Sequence, residues 1–164
     1  MALCYSNNMK ILVISDTHGN YPLAMRACDL AAPIDAVIHL GDGVSDAEIL
    51  ARIMAIPVIR VTGNCDRRSD APRELIWEWH GKRLLLTHGD RYGVKNGLAR
   101  LEQVGIESAA DAVLFGHTHQ ATVTTLSGML FVNPGALMNS GGGATFSTLE
   151  IVAGTISARL HSID

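Results

Sequence analysis

The sequence predicts an α/β protein with two packed mixed β-sheets and helices on their outer faces. In the first half of the chain, short apolar runs rich in β-branched residues alternate with helical patterns. In the second half, three pairs of short strands flank tight turns. Among 164 residues, 48% are apolar and 18% are charged, which is enough apolar surface for one buried core. These observations favour two packed sheets and exclude a disordered chain.

The first half has the pattern of parallel strands joined by crossover helices. Apolar runs of the kind buried on both faces predict strands at 10–15, 36–40 and 58–62. Helices are predicted between them from about 22 to 31 and from about 46 to 55. Pro22 suits a first helical position, and Ser45 is the expected N-cap of the second helix. The expected buried faces consist of Leu23, Ala27 and Leu30 in the first helix, and of Ile49, Leu50, Ile53 and Met54 in the second.

The second half is predicted to consist mainly of hairpins. Strands are expected at 74–79 and 83–87 around His80-Gly81-Lys82, at 121–126 and 129–132 around Ser127-Gly128, and at 144–151 and 155–161 around Gly154. A helix is predicted near 94–103 and one more buried strand at 112–115.

The chain is predicted to hold one domain, at 9–164, behind a flexible polar leader at 1–8. Three cysteines without CxxC spacing, and an N-terminus without signal-peptide features, predict a cytoplasmic protein. The net charge of −3, with no basic run longer than Arg67-Arg68, predicts no stable nucleic-acid binding. The uncharged stretch 120–149 is broken by Pro134 and by glycines, so no membrane association is expected.

Polar side chains follow the predicted strands at the points where the strands end. They are Asp16, His18, Asp42, Asn64, His88, His117 and His119. In open α/β sheets, ligands bind beyond the carboxyl ends of the strands, so these seven side chains should converge on one crevice. An acid after a strand can also cap the next helix, which would account for Asp16 and Asp42 but leaves the four histidines unexplained.

Imidazole, carboxylate and amide donors together favour a first-row transition metal over calcium. If these segments are extended, side chains two residues apart point to the same side. Asp16 and His18 would then point into one site together, as would His117 and His119. Seven donors exceed what one tetrahedral ion needs. They suit two ions about 3.5–4 Å apart that share a carboxylate, an arrangement that supports phosphoryl displacement.

The motifs that carry these donors are DTHG at 16–19, GD at 41–42, GNCD at 63–66, THG at 87–89 and GHTH at 116–119. In this order they resemble the calcineurin-like metallophosphoesterase superfamily, and the short chain resembles its small bacterial and archaeal phosphodiesterase branch. The resemblance implies an αββα sandwich. It also implies hydrolysis of a small-molecule or nucleotide phosphodiester by a hydroxide that bridges two divalent ions, with Mn expected in vitro and Fe, Zn, Co or Ni as alternatives.

By the same resemblance, one ion would be held by Asp16, His18 and His119, and the other by Asn64, His88 and His117. Asp42 would bridge the two ions. Asn64 and His117 would also contact the phosphate of the substrate.

Two positions near these motifs have two interpretations each. Many relatives have, at the position of Cys65, a histidine thought to protonate the leaving group. Cys65 is either a catalytic candidate or a small buried apolar residue. Arg91 is either a substrate contact or an exposed arginine. His39 is expected to pack or to support the site, whereas His80 and His161 are expected to face solvent.

Two other functions are weighed against phosphodiester hydrolysis. One is a phosphomonoesterase of the protein-phosphatase kind, and the other is a non-catalytic binding scaffold similar to a subunit of the eukaryotic retromer coat. The complete donor set favours an enzyme, and the chain is short for a protein-recognition lid. Trp77 and Trp79 share one strand face, which predicts either core packing or a homo-oligomer interface.

Overall fold

Two five-stranded mixed sheets with helices on their outer faces make up the fold in the computed structural model, as the sequence predicts. The structure describes residues 8–139 and 141–164. The predicted leader lies outside these residues except for Asn8, which is the first residue of a strand.

In chain order, the described elements are β1 (Asn8–Ile14), α1 (Tyr21–Ala31), β2 (Ala36–His39), α2 (Val44–Ile53), β3 (Val58–Arg60), β4 (Glu74–Trp79), β5 (Lys82–Thr87), α3 (Ala99–Glu107), β6 (Ala112–Leu114), β7 (Thr122–Leu126), β8 (Met129–Asn133), β9 (Ala144–Val152) and β10 (Thr155–Ile163). Two short 3-10 helices, Asp90–Tyr92 and Val94–Asn96, lie between β5 and α3.

The first sheet has the strand order β10-β9-β1-β2-β3. β1 pairs in parallel with β2, so that Ile11 lies beside Ala36, and β2 pairs in parallel with β3. On its other side, β1 pairs antiparallel with β9. The carboxyl ends of three parallel strands therefore meet at one edge of this sheet.

The second sheet has the strand order β4-β5-β6-β8-β7. β5, β6 and β8 run parallel to one another, while β4 and β7 form antiparallel hairpins with β5 and β8. This sheet also has three parallel carboxyl ends, and the loops that follow them carry His88, His117 and Pro134.

The main core lies between the two sheets. Ile11 and Ile38 from the first sheet pack with Leu84 and Leu114 from the second, and all four are fully buried. Trp77 and Trp79 pack against this core with ring centroids 4.2 Å apart, which agrees with the core interpretation of the pair. Two further apolar clusters bind α1 and α2 to the first sheet and α3 to the second.

The helices depart from the sequence prediction in three places. In α1 the small residues Ala24, Ala27 and Ala31 face the sheet, so Leu30 is 56% exposed rather than buried. In α2 the last turn leaves the sheet, and Ile53 is 58% exposed. The helix predicted near 94–103 is divided, because Gly97 has a φ angle of 134° and interrupts the helical path between the second 3-10 helix and α3.

The N-terminus of α2 also differs from the prediction. The helix begins at Val44, and Gly43 occupies the N-cap position, so Ser45 lies inside the helix. The Asp66 carboxylate accepts hydrogen bonds from the amides of Gly43 and Val44, and thus serves the helix end from a loop that is distant in sequence.

Among the remaining histidines, His161 differs from expectation. It is half-buried, stacks on Phe146 with ring centroids 4.8 Å apart, and lies 2.9 Å from the hydroxyl of Thr148. His80 is exposed, and His39 is fully buried, both as expected. None of the helices in the described ranges combines the length and hydropathy required to cross a membrane.

Candidate metal centre

The loops at the carboxyl ends of the strands in both sheets meet at one place. The amide of Asp16 donates to the Gly41 carbonyl at 2.9 Å, and the amide of His18 donates to the Asp42 carbonyl at 3.0 Å. The Asp16 carboxylate in turn accepts the amide of His117 at 3.1 Å, which joins the first sheet to the second. The crevice that the sequence predicts is thus built from both sheets.

One group of donors consists of Asp16, His18 and His119. Nε2 of His119 lies 2.9 Å, and Nε2 of His18 lies 3.8 Å, from Oδ1 of Asp16. The Asp16 carboxylate is fully buried, whereas both rings reach solvent. These three side chains offer one ligand atom each within 4.8 Å of one another.

A second group consists of Asp42, His88 and His117. Nε2 of His88 lies 3.3 Å from Oδ2 of Asp42 and 3.2 Å from Nδ1 of His117. The other nitrogen of His88 lies 2.8 Å from the carbonyl of Leu40. Nε2 of His18 lies 3.9 Å from Oδ2 of Asp42, so the two groups adjoin each other at this carboxylate.

The backbone at these positions is left-handed rather than extended. The φ angles are 54° at Asp16, 45° at His18, 55° at Asp42, 69° at His117 and 59° at His119. The prediction that extended segments aim the paired donors is therefore wrong in its geometry. Non-glycine residues rarely adopt such angles, and their concentration here is typical of a functional site.

Two glycines allow the loops to approach closely. A Cβ atom on Gly63 would lie 2.2 Å from Oδ1 of Asp42, and one on Gly116 would lie 2.1 Å from the hydroxyl of Ser15. Both distances are far below van der Waals contact. Any larger residue at either position would push the loops apart.

Asp66 holds two of the loops together, a role that the sequence analysis does not anticipate. One carboxylate oxygen accepts the amides of Asp42 and Gly63 at 2.7 and 2.9 Å, and the other accepts those of Gly43 and Val44 at 2.8 and 3.0 Å. Asp66 therefore fixes the backbone of Asp42 against the loop after β3. Its place in the GNCD motif is the sequence signal for this role.

Two buried polar side chains, Asp46 and Asn133, support other loops of the site and were likewise not anticipated. Asp46 accepts the hydroxyl of Thr17 at 2.5 Å and the amide of Gly19 at 2.9 Å. Asn133 donates to the carbonyl of Gly116 at 3.0 Å. The sequence signals for these roles are an acid, Asp46, in the first turn of a predicted helix and an asparagine, Asn133, directly after a predicted apolar strand.

His39 is part of the same support. Its Nδ1 accepts the amide of Gly41 at 3.1 Å, so the hydrogen is on Nε2, which lies 3.0 Å from the hydroxyl of Thr17. Burial lowers the pKa of His39 from 6.5 to about 4. The ring is therefore neutral at pH 7 and acts as a hydrogen-bonding spacer between two loops.

The remaining site candidates, Asn64, Cys65 and Arg91, are all exposed. Asn64 is exposed, and its amide nitrogen lies 3.5 Å from the sulfur of Cys65. The thiol of Cys65 is exposed, so the expectation of a small buried residue is wrong. It lies within 4.8 Å of donor atoms of His18 and Asp42. Arg91 is exposed in the first 3-10 helix and forms no ion pair with the described residues.

The electrostatics at Asp42 favour a charged carboxylate. Burial acts to raise the pKa of Asp42, but hydrogen bonds from His88 and from the Cys65 amide outweigh it and lower the pKa. Burial likewise opposes the charged form of His88, yet the adjacent Asp42 raises the pKa of that ring. A hydrogen bond to Asp42 raises the pKa of the Cys65 thiol, which keeps that thiol protonated.

The residues present fit divalent cations. Asp16 and Asp42 are buried carboxylates, and no lysine or arginine in the described part of the chain pairs with either of them. Buried acids require a cationic or hydrogen-bonding partner, and carboxylate together with imidazole is a ligand set that suits first-row transition metals. The two adjoining groups of three donors are therefore candidate metal-binding groups.

Comparison with known proteins agrees with this geometry. Residues 9–154 match the sequence profile of the calcineurin-like phosphoesterase superfamily domain. The probable metallophosphoesterase YsnB of Bacillus subtilis is 37% identical over 131 residues, covering 79% of this chain and 75% of its own. The phosphodiesterase YfcE of Escherichia coli is 31% identical over 168 residues, covering 87% of this chain and 88% of its own.

Solved structures share the fold at lower identity. A predicted phosphoesterase from Streptococcus pneumoniae superposes with a TM-score of 0.80 at 24% identity, over 94% of this chain and 90% of that one. Vacuolar protein sorting 29 from Cryptosporidium parvum superposes with a TM-score of 0.75 at 20% identity, over 96% and 98% of the two chains. At this level of sequence identity, the two superpositions show a shared fold alone.

Proposed function

Because the chain belongs to the calcineurin-like phosphoesterase superfamily, we propose that it is a phosphodiesterase that depends on two adjacent divalent cations. The observation that carries this proposal is the pair of three-donor groups that adjoin at Asp42. A single group would be enough for one ion. Two adjoining groups with a carboxylate between them are the arrangement that dinuclear hydrolases use.

The proposed ligands follow the two groups. Asp16, His18 and His119 would hold the first ion, and His88 and His117 would hold the second, with Asp42 between the two. Asn64 is proposed as a further ligand of the second ion, because it directly follows Gly63, whose backbone lies close to the Asp42 carboxylate. When bound, the ions would lower the pKa of the attacking water and neutralise charge on the phosphoryl oxygens.

The side chains themselves would orient the substrate and the donors. The Leu40 carbonyl holds the ring of His88, and Asp66 holds the backbone of Asp42, so neither donor has to reorganise when a phosphate binds. Asn64 and His117 are proposed to contact the phosphate of the substrate. Arg91 is proposed as an additional contact from the exposed 3-10 helix.

The substrate class, metal and compartment complete the proposal. Small-molecule or nucleotide phosphodiesters are favoured over nucleic acids that require a broad basic surface, since the net charge is −3. Manganese is the ion proposed for activity in vitro, with iron, zinc, cobalt and nickel as alternatives. The cytoplasm is proposed as the compartment, and a homo-oligomer is compatible with the exposed strand β10 at the edge of the first sheet.

The experiment is hydrolysis by the manganese-loaded protein of a matched panel of a monoester, a linear diester, a cyclic diester and a dinucleotide. We expect diesters to be hydrolysed at least about tenfold faster than the monoester, expressed as kcat/KM. A faster reaction with the monoester would favour the phosphomonoesterase alternative.

A binding scaffold is the second candidate, favoured by the fold shared with vacuolar protein sorting 29. That protein and this chain share the fold at 20% sequence identity. The buried acids and converging imidazoles have no function in a scaffold that lacks metal chemistry. Hydrolysis of none of the panel, by protein that retains its ions, would favour the scaffold.

A further inference from the structure

A cavity of about 240 Å³ lies beside the metal centre, between the loop after β3 and the first turn of α2. Its walls include Cys65, Arg67, Arg68 and Ser69 from the loop and Ser45 and Glu48 from the helix. We refer to it as the arginine cavity. Of its functional groups, only Cys65 and Asp66 belong to the site described above.

The arginine cavity adjoins the metal centre through Cys65. The backbone amide of Cys65 donates to Oδ1 of Asp42 at 2.8 Å, and its thiol lies within 4.8 Å of donor atoms of His18 and Asp42. The same residue forms part of the cavity wall. A substrate bound at Asp42 can therefore extend past Cys65 into this cavity.

The formal charges of the two arginines and two acids in the cavity walls cancel, but both acids are engaged by other groups. Glu48 pairs with Arg60 at 3.8 Å, and the carboxylate of Asp66 is engaged by four backbone amides. Arg67 and Arg68 are exposed, and neither forms an ion pair with another residue in the two described ranges. Two guanidinium groups thus face a concave surface whose acids already have partners.

The loop that carries the two arginines is held at both ends. Asp66 anchors its start, and the hydroxyl of Thr62 donates to the carbonyl of Ala71 at 2.7 Å to close it. The amide of Ala71 also donates to the hydroxyl of Ser69 at 3.1 Å. Arg68 has a φ angle of 60°, a left-handed conformation that such closure maintains. The guanidinium groups therefore project from a preformed frame.

We propose that the arginine cavity binds a second phosphate group of the substrate, in addition to the phosphodiester at the metal centre. Arginine binds phosphate through two parallel hydrogen bonds, which gives both charge neutralisation and orientation. The favoured substrates would then be bisphosphorylated compounds of nucleotide size. This inference rests on the proposed phosphodiesterase function, since it assigns a substrate class to the same site.

The test is calorimetric binding of three adenine nucleotides to the manganese-loaded full chain, with one phosphate of each taking the place of the phosphodiester: the 5′-monophosphate, the 5′-diphosphate and the 3′,5′-bisphosphate. We expect at least one of the two nucleotides that carry two phosphate groups to bind about tenfold or more tightly than the monophosphate, since charge-assisted hydrogen bonds add to its affinity. In the double variant Arg67→Gln/Arg68→Gln, this preference should fall below about threefold, while binding of the monophosphate is retained.

The matched control is Arg52→Gln/Arg159→Gln, which removes the same charge from the last turn of α2 and from β10, away from the cavity. It should keep the wild-type preference. The proposal is overturned if none of the nucleotides binds, if the wild type shows no preference, if Arg67→Gln/Arg68→Gln keeps it, or if the control also loses it. Because binding requires no turnover, this outcome is separate from whether the protein hydrolyses diesters.

Discussion

His88 and Asp42 come from different sheets, yet Nε2 of His88 lies 3.3 Å from Oδ2 of Asp42. The carbonyl of Leu40 lies 2.8 Å from the other ring nitrogen and can only accept, so the hydrogen of the neutral ring is on Nδ1. In the neutral ring, Nε2 carries the lone pair and is free to bind a cation, whereas in the protonated ring Nε2 donates to Asp42. The backbone at the end of β2 thus selects the tautomer of a histidine that follows β5, which is the support that metal-binding histidines commonly have.

The position of Asp42 between the two donor groups predicts an order of mutational effects. Asp42→Asn should reduce kcat more than His119→Asn does, because Asp42 adjoins both groups whereas His119 belongs to one. The measurement is kcat on a diester, with metal content determined for each variant. Equal residual rates, with both ions still bound in both variants, would contradict the bridging position of Asp42.

Asp66 is predicted to control activity through the backbone of Asp42. In Asp66→Asn, the amide nitrogen of the new side chain would face backbone N–H groups, so about two of the four hydrogen bonds are lost. Loss of hydrogen bonds to a charged group costs about 1.5–3 kcal/mol each, and kcat should fall more than about tenfold.

The matched control for Asp66 is Asp70→Asn, which changes an acid of the same loop that is 88% exposed and lies 3.7 Å from Arg60. It should leave kcat and the free energy of unfolding close to wild type, because exposed ion pairs contribute little. Similar losses in both variants would show that loop charge, rather than the contact with Asp42, determines the activity.

Cys65 is predicted to contribute little to catalysis. A thiol is a poor proton donor at neutral pH compared with an imidazole, and Cys65 is exposed beside Asp42. Cys65→Ala should change the rate on an aryl diester by less than about tenfold, or about 1.4 kcal/mol of barrier. Cys65→His should raise turnover of alkyl diesters selectively, because their basic leaving groups need a proton.

The catalytic interpretation of Cys65 makes the opposite prediction. If Cys65→Ala abolishes hydrolysis while both ions remain bound, the thiol is a catalytic group. For Cys65→His, the dependence of the hydrolysis rate on leaving-group basicity, measured across aryl and alkyl diesters, distinguishes the two cases. An effective acid makes that dependence shallower.

Burial of His39 predicts a loss of stability at acidic pH. Its pKa is lowered to about 4, so above pH 6.5 the ring is neutral in the folded and unfolded chains alike. As pH falls from 6.5 towards 4, only the unfolded chain takes up the proton, and the free energy of unfolding should drop by roughly 3 kcal/mol. The charges of Asp66, Asp46 and Asp16 favour the protonated ring and that of His88 opposes it, but burial outweighs the acids and lowers the pKa.

The measurement is denaturant unfolding of chelator-treated protein between pH 7 and pH 4, compared with His39→Asn. The variant should show a shallower pH dependence, because it lacks the titrating ring but keeps an acceptor for the amide of Gly41. His80→Asn serves as the control, since His80 is exposed on a hairpin turn. Parallel curves for the wild type and His39→Asn would contradict the assigned pKa.

The sequence is sufficient to predict the two sheets and the convergence of the donors, because strand periodicity and strand-end motifs are local signals. Leu30 shows what such signals omit: the face that a helix buries depends on how closely it packs, and the alanines of α1 allow a closer approach than leucine does. Ser45 is a second case, since Asp66 reaches the end of α2 from another loop. Side-chain contacts over such distances have no local pattern.

The left-handed backbone at Asp16 and at His117 is a third case. A positive φ angle at a non-glycine residue leaves no signal in the sequence, so the sequence predicts an extended path here. The structure reaches the same convergence through tight turns, which the amides of His18 and His117 stabilise through contacts with Asp42 and Asp16.

Titration of chelator-stripped protein with manganese, monitored by hydrolysis of an aryl phosphodiester, tests the dinuclear phosphodiesterase account most directly. The stripped protein should be inactive, and activity should rise to its maximum at two ions per chain, with cobalt or nickel able to replace manganese. Full turnover without added metal, or an activity that is complete at one ion per chain, would contradict it.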